Sequence, residues 1–527
     1  MTYFGPEFLV VFLPIVVLIY AVMPSKVRPY VLLAASYIFF YFTSEKLIVY
    51  LLISTVSIHH FGLWLDKLQT ERKLALQGLT REEKKPVKKA NDKKQNLVLA
   101  IAVVLHIGLL AVLKYTPFFT HNLNTILENF NVHVKEISFM VPLGISFYTL
   151  QAVSYMRDVR QGVIKADNSL PRLALYMSFF PQIMEGPIAR YSDTAEALFS
   201  GNRIKYKNLV YGFERIIYGL FKKIIVADRL NGFVMNVFDD YEKFDGGIIL
   251  LSAVFYTIEL YMDFSAAMDV GIGIAQIFGV KLPENFRQPF FSKNISEFWS
   301  RWHITLGTWF RDYIYYPVSL SAFSKKLTAF GRKHLGNYFG PMLASTIALF
   351  CVWISNGLWH GSAWMYIFFG MYHFTLILLG NLFEPLSSKI YDKLHIDPNK
   401  APVSLIRIAL TSFLVVIGEL FFRAHGLKEG FEMFGKIFTH FSLNGIKNGV
   451  IAKTGLDHLD IIVVIVSIAI VFVFSILKEK NLDIREKLAE MPIAVRWLIL
   501  VGAIAVVIIF GAYGGEYAPV APMYADF

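Results

Sequence analysis

The chain has 527 residues, of which 55% are hydrophobic and only 17% are charged. A soluble protein has about 25% charged residues, so the composition excludes an ordinary soluble protein and predicts one that crosses a membrane many times. The net charge of +11 could indicate nucleic-acid binding, but basic cytoplasmic loops account for it more simply. The single cysteine, Cys351, excludes an internal disulfide and a cysteine-rich metal site.

Apolar stretches near the length that a spanning helix needs, about 20 residues, recur along the chain. We predict 11 spans, at residues 6–23, 30–43, 47–65, 96–114, 139–156, 247–262, 341–358, 363–383, 403–422, 459–477 and 495–513. Several of them are flanked by Trp, Tyr, Lys or Arg, which anchor helices at the membrane interface.

The charges between the first spans predict the orientation of the chain. Residues 66–95 contain ten Lys or Arg and five acidic residues. Because basic loops stay in the cytoplasm, we predict that this loop is cytoplasmic and that the N-terminus is extracytoplasmic. The basic stretches 24–29 and 157–172 then also face the cytoplasm, which supports the same orientation.

Residues 180–320 combine moderate hydrophobicity with many polar and aromatic side chains. Polar groups at membrane depth usually face a cavity, a pathway or one another. Gly279, Pro283 and Pro289 would interrupt a simple span, and irregular backbone is tolerated there only inside protein or beside water. We therefore predict re-entrant and short helices in this region, packed inside a ring of ordinary spans, and a functional site among them.

The first candidate segment of that site is Glu297–Pro317, which contains His303. On a helix, Trp299 and His303 would lie at i and i+4 and share a face, so His303 is expected in a polar place with aromatic walls. Arg301 is available there as a partner. The alternative is an interfacial amphipathic helix with tryptophan anchors, and the residues alone leave both open.

The second candidate segment is Trp353–Trp364, where His360 stands in an apolar stretch. Asn356 precedes it by four residues, so its side-chain carbonyl could accept a hydrogen bond from one ring nitrogen and leave the other to take a proton. Gly357 and Gly361 would let a narrow substrate chain approach the backbone. The alternative is a core histidine bonded to a neighbouring helix, but ionisable residues inside a membrane favour function.

Several kinds of site have no signature in this sequence. There is no phosphate-binding loop and no His-Glu-x-x-His zinc motif, so we predict no metal and no bound cofactor. An imidazole, with an ordinary pKa of about 6.5, can take a proton from a hydroxyl and return it to a thiolate. A transporter or flippase, disfavoured by the lack of a detectable internal repeat, and a membrane scaffold remain alternatives.

At these segments the chain resembles the membrane-bound O-acyltransferases (MBOAT), in particular the bacterial branch of alginate O-acetylase, peptidoglycan O-acetyltransferase and the teichoic-acid D-alanylation protein. The matching stretches are Val141–Leu150, Phe180–Arg190, Tyr261–Gly271, Pro283–Phe286, Trp302–His303 and Gly357–Gly361. Two stretches depart from alginate-type members: Ala266–Ala267, where those members have Gly-Tyr, and the ending Pro522–Phe527.

The resemblance implies an all-α polytopic protein with about 11 transmembrane helices in a ring around re-entrant and short helices, with a central tunnel or funnel. It implies one domain over 1–527, with the signature core at about 140–365. The expected site residues are His360 and His303 as catalytic residues, and Asn356, Trp302, Arg301, Asp263 and Asn285 as substrate-binding residues.

The same resemblance implies the reaction. We expect an acetyl group to pass from cytoplasmic acetyl-CoA to an extracytoplasmic polysaccharide or cell-wall glycan, with a hydrolase-like acyltransferase partner outside the bacterial inner membrane. The alternative donor is a D-alanyl carrier protein on the cytoplasmic side.

Overall fold

The computed structural model describes residues 1–513 and residue 517, so the departure at Pro522–Phe527 lies outside the described residues. In this described part all regular secondary structure is helical, which confirms the predicted all-α class. Eight segments of it are long and apolar enough to cross a bilayer, as expected of a polytopic membrane protein.

The α-helices divide into two sets along the chain. The first set is α1 (Leu13–Val22), α2 (Arg28–Ser44), α3 (Ile48–Ala75), α4 (Arg81–Leu127), α5 (Ile145–Gln161), α6 (Leu170–Ser178), α7 (Phe180–Ile183), α8 (Tyr191–Phe199), α9 (Tyr206–Leu220), α10 (Asp228–Asp239) and α11 (Gly246–Ile277). The second set is α12 (Ile295–Arg301), α13 (Ile304–Phe310), α14 (Tyr316–Ser319), α15 (Ala322–His360), α16 (Trp364–Lys393), α17 (Ala401–Arg423), α18 (Leu427–Thr439), α19 (Asn444–Lys447), α20 (Val450–Lys453), α21 (His458–Glu479), α22 (Ile484–Glu490) and α23 (Ile493–Phe510).

The eight candidate spans correspond to most of the predicted ones. The predicted spans 30–43 and 47–65 fall in a single segment, Arg28–Ala75, because only the short 3₁₀ turn Glu45–Leu47 separates α2 from α3. The predicted span 6–23 is a shorter apolar helix, Glu7–Val22. The predicted span 139–156 corresponds to α5, whose 17 residues are almost all buried by protein, including polar Gln151 and Ser154.

The charged loop predicted at 66–95 is largely a helical hairpin. Helix α3 continues to Ala75, and α4 begins after Thr80, which forms a reciprocal capping box with Glu83. Buried Gln95 donates to Gln69 across the hairpin at 3.2 Å. Lys, Arg and Glu are good helix formers, so both helices continue beyond their apolar parts.

The chain forms two compact units, and each has its own core. The first unit comprises Met1–Phe213 and Gly271–Pro283. Its centre is an aromatic cluster in which Tyr3 stacks on Phe39 with ring centroids 5.5 Å apart, and Phe8 meets Phe180 at 6.2 Å.

The second unit comprises Glu214–Val270 and Glu284–Phe527. Its core includes Phe233 and Val237 of α10, Met262 of α11 and Val464 of α21. All candidate catalytic and substrate-binding residues belong to this unit.

The prediction of short helices over 180–320 is wrong for part of that region. Helix α9, the π-helical stretch Phe221–Ala227 and α10 follow one another without a break, and α11 is also long. Buried lysines on the π-helical stretch are paired with α11, since Lys222 lies 2.7 Å from Asp269 and Lys223 lies 2.9 Å from Asp263. These pairs supply the partners that buried charges require.

Helix α15 places His360 at its end. At Gly336 the backbone is left-handed (φ +77°) and the helix bends sharply, so that Gly331 and Gly340 come into backbone contact. The predicted span 341–358 begins directly after this bend and leads to His360.

Candidate active site

His303 lies in the turn between α12 and α13, in a left-handed conformation (φ 46°, ψ 50°). This conformation is uncommon for a non-glycine residue and costs free energy. The segment around Asn285 stabilises it: the Asn285 carbonyl accepts from the N–H of Ile304 at 2.9 Å, and Asn285 Oδ1 accepts from the N–H of Thr305 at 3.0 Å. The prediction that His303 shares a helical face with Trp299 is therefore wrong, because α12 ends at Arg301.

The imidazole of His303 is held by the same side chain. Its Nδ1 lies 3.2 Å from Asn285 Oδ1. Because the backbone N–H of Thr305 can only donate, the Asn285 atom that it meets is the oxygen, and His303 Nδ1 must carry the proton. His303 Nε2 then has the lone pair, as a general base requires.

Burial favours the neutral form of this histidine. Only 3% of His303 is exposed, and this desolvation lowers the pKa of its imidazole well below the ordinary value, with a smaller contribution from His360. The ring of Phe264 packs edge-on against it at 4.8 Å. An uncharged imidazole with these aromatic neighbours can accept a proton.

His360 is the last residue of α15 and is also buried. Its ring contacts Phe422 of α17 at 5.2 Å and Trp359 at 5.0 Å. The ring of Trp359 lies 5.6 Å from that of His303. The structure therefore brings the two sequence-predicted histidines to one tryptophan.

One expectation for the surroundings of His360 is wrong. Asn356 is buried, but its Oδ1 accepts no hydrogen bond in the described part of the chain, so the predicted bond from the imidazole is not formed. Gly357 and Gly361 make room for Tyr366 of α16. A Cβ on Gly357 would lie 2.5 Å from the carbonyl oxygen of Tyr366, and one on Gly361 would lie 2.2 Å from the Tyr366 ring.

The remaining predicted substrate-binding residues make structural contacts. Arg301 forms ion pairs with Glu297 at 2.8 Å and with Glu479 at 2.9 Å. Trp302 stacks on Phe298 at 5.4 Å, within an aromatic cluster. Asp263 faces Lys223, as described above. Of these predicted residues, Asn285 is the one that directly holds a histidine.

Sequence reasoning missed Thr305 and did not select His373 as a candidate. The Thr305 hydroxyl donates to Asn285 Oδ1 at 2.8 Å, a contact that sequence spacing does not reveal. His373 is fully buried on α16, between Trp299 (4.8 Å) and Phe369 (4.6 Å). Neither of its ring nitrogens is hydrogen-bonded within the described residues. The sequence signal that could have identified His373 is an ionisable residue inside an apolar stretch.

The comparisons with known proteins agree on one family. The family model described as MBOAT, membrane-bound O-acyltransferase family, matches residues 161–331. The teichoic acid D-alanyltransferase of Bacillus subtilis is 31% identical over 63% of this chain and 79% of its own length. A probable alginate O-acetylase of Azotobacter vinelandii is 28% identical over 83% of this chain and 78% of its own length. The peptidoglycan O-acetyltransferase of Helicobacter pylori is 28% identical over 69% of this chain and 68% of its own length.

Proposed function

Because the chain belongs to the membrane-bound O-acyltransferase (MBOAT) family and is therefore an O-acyltransferase, we propose that it transfers acetyl groups from cytoplasmic acetyl-CoA. The acceptor in this proposal is an extracytoplasmic polysaccharide or cell-wall glycan. The names of two similar proteins, an alginate O-acetylase and a peptidoglycan O-acetyltransferase, support the acetyl group and the glycan.

One observation carries the proposal: the contact of Trp359 with both His303 and His360. In a buried, aromatic pocket a neutral imidazole can accept the proton of a hydroxyl. The hydroxyl oxygen attacks the thioester carbonyl carbon, the carbon–sulfur bond breaks, and its electron pair goes to sulfur. The imidazolium then returns the proton to the thiolate, so the products are an ester and a thiol.

His360 is the proposed general base, since it ends an apolar helix with its ring in this pocket. His303 and Asn285 are the proposed second pair, which assists at the reacting carbonyl. No metal or bound cofactor takes part, and acetyl-CoA enters as a substrate.

A second candidate donor is a D-alanyl carrier protein. The observation that favours it is the similarity to the B. subtilis teichoic acid D-alanyltransferase. The chemistry at the thioester is the same, because both donors present an acyl group on a sulfur atom.

The setting of the reaction follows from the same proposal. The protein would lie in the bacterial inner membrane, with its N-terminus outside and its donor supplied from the cytoplasm. The final transfer to the polymer would use an extracytoplasmic hydrolase-like acyltransferase as partner.

The test is thioester cleavage by the full chain in nanodiscs, supplied with acetyl-CoA or with a D-alanyl carrier and followed by thiol release. We expect release from acetyl-CoA that falls at least about 100-fold in His360→Ala. His440→Ala is the matched control, because His440 is exposed and outside the pocket. Thiol release from the D-alanyl carrier alone would identify that carrier, instead of acetyl-CoA, as the donor. A wild-type protein that cleaves neither donor would contradict the proposal.

A further inference from the structure

The Asn285 side chain is fixed by its oxygen. Asn285 Oδ1 faces three donors: His303 Nδ1, the Thr305 N–H and the Thr305 hydroxyl, at 3.2, 3.0 and 2.8 Å. These contacts allow only one orientation of the amide plane, because exchanging its oxygen and nitrogen would bring donors against donors. The position of the amide nitrogen, Asn285 Nδ2, is therefore also determined.

That nitrogen is a buried donor without a partner. Asn285 is 1% exposed, and its Nδ2 makes no hydrogen bond among the residues that the structure describes. A buried polar group without a partner is rare and costs free energy. Such a group on a side chain that contacts a candidate base indicates a donor reserved for a bound molecule.

We propose that Asn285 positions His303 through Oδ1 and donates from Nδ2 to the carbonyl oxygen of the acyl thioester. This inference rests on the proposed function and adds to it an oxyanion-stabilising residue. When the acceptor hydroxyl attacks, negative charge develops on that carbonyl oxygen. A fixed amide donor stabilises the charge more strongly than the neutral carbonyl of the ground state, and therefore lowers the barrier.

The neighbouring charged side chains Glu284, Asp263 and Arg301 form ion pairs with other residues. Glu284, next to Asn285, binds Arg215 through both oxygens at 2.7 and 2.5 Å. On α11, Asp263 is paired with Lys223, and on α12 Arg301 is paired with Glu479. His360 is the titratable group that interacts with His303, and Arg287, on the same segment as Asn285, is exposed.

Asn285→Asp separates the two roles. A carboxylate keeps an acceptor for His303 Nδ1 and Thr305, but it removes the Nδ2 donor and places a negative charge beside the imidazole. We expect kcat to fall by about 100- to 1,000-fold, as when one oxyanion donor is lost, with KM changed much less. Because the carboxylate favours the imidazolium of the ring it contacts, the pKa of His303 should rise, whereas in the described part of the chain His360, the proposed general base, has no such contact with Asn285.

The matched control is Asn294→Asp. Asn294 lies on the same connection and caps α12 by accepting from the Glu297 N–H at 2.8 Å, and aspartate caps a helix equally well. Its kcat and pH profile should equal those of the wild type. A folded Asn285→Asp protein with unchanged kcat, or with a loss confined to KM, would overturn the inference. If the wild type cleaves neither donor, the proposed function itself fails, so the two failures can be told apart.

A spectroscopic measurement covers the case in which Asn285→Asp does not fold. Acetyl-CoA labelled with a heavy isotope at the thioester carbonyl is bound to the full-length His360→Ala protein, which leaves the donor intact. We expect the carbonyl stretching frequency to fall on binding, because a hydrogen bond weakens the carbonyl bond. If the wild type uses only the D-alanyl carrier, the same measurement is made with the label at the thioester carbonyl of that carrier. A frequency equal to that of the free donor would overturn the inference.

Discussion

Arg301, a predicted substrate-binding residue, forms an ion pair with a residue far along the chain. Its guanidinium contacts both oxygens of Glu479, at 2.9 and 3.0 Å, and so joins α12 to α21. Because Glu479 is partly exposed, we expect a coupling of about 1 kcal/mol or less between the two side chains. Arg301→Gln, Glu479→Gln and the double variant, compared by thermal unfolding in nanodiscs, measure this coupling.

The double variant is informative because it removes both partners. If the contact stabilises the protein, the double variant should lose less stability than the sum of the two single variants. Strictly additive losses of stability would show that the ion pair does not stabilise the protein, and Arg301 would stay a candidate substrate-binding residue.

At the residue scale, the sequence selected His303 and His360 as candidates but did not predict how they are held. His303 and His360 could be identified from their motifs and from the rule on ionisable residues in apolar segments. The partner of His303 is Asn285, across a left-handed turn that helical spacing cannot describe. The hydrogen bond expected between Asn356 and His360 is not formed, although both residues belong to α15.

Helices α15 and α16 are held in close contact by two glycines. A Cβ on Gly357 would lie 2.5 Å from the Tyr366 carbonyl oxygen, and one on Gly370 would lie 2.4 Å from that of Trp353. Backbone atoms cannot rotate away, so Gly357→Ala and Gly370→Ala should each destabilise the protein by about 1–3 kcal/mol. They should also lower donor cleavage, because separating the helices displaces His360.

Gly380→Ala is the control on the same helix. Gly380 is exposed, and an added Cβ would meet nothing within 4 Å. Alanine is the better helix former, so this variant should be about 0.5–1 kcal/mol more stable than the wild type. Thermal unfolding and thiol release of the three variants check the prediction, and equal stability of Gly370→Ala and Gly380→Ala would refute it.

At the element scale, the apolar cores of the long helices were predictable and their ends were not. Hydropathy identifies where a helix can meet lipid, but α3 and α4 continue through charged residues that are themselves good helix formers. The same limit applies to the π-helical stretch between α9 and α10, whose buried lysines are paired with aspartates of α11. Such pairing joins residues far apart in sequence, and no local pattern reports it.

For the whole molecule, membrane insertion and family followed from composition and motifs, whereas the meeting of His303 and His360 at Trp359 is a tertiary result. The two histidines lie on different elements and share no periodicity. The order of their motifs along the chain resembles that of a known family. That resemblance predicted that both histidines belong to one site, and the structure then placed both against Trp359.

The orientation of the molecule can be tested with its single cysteine. In a Cys351→Ser background, Gln77→Cys and His133→Cys place one exposed thiol on each side of α4. The 47 residues of α4 extend about 70 Å, well beyond a bilayer core of about 30 Å. A membrane-impermeant maleimide should therefore label His133→Cys from outside intact cells and Gln77→Cys only in inside-out vesicles. Solubilised protein, in which both must react, is the control for accessibility. The reverse pattern would put the basic hairpin outside and would contradict the predicted orientation.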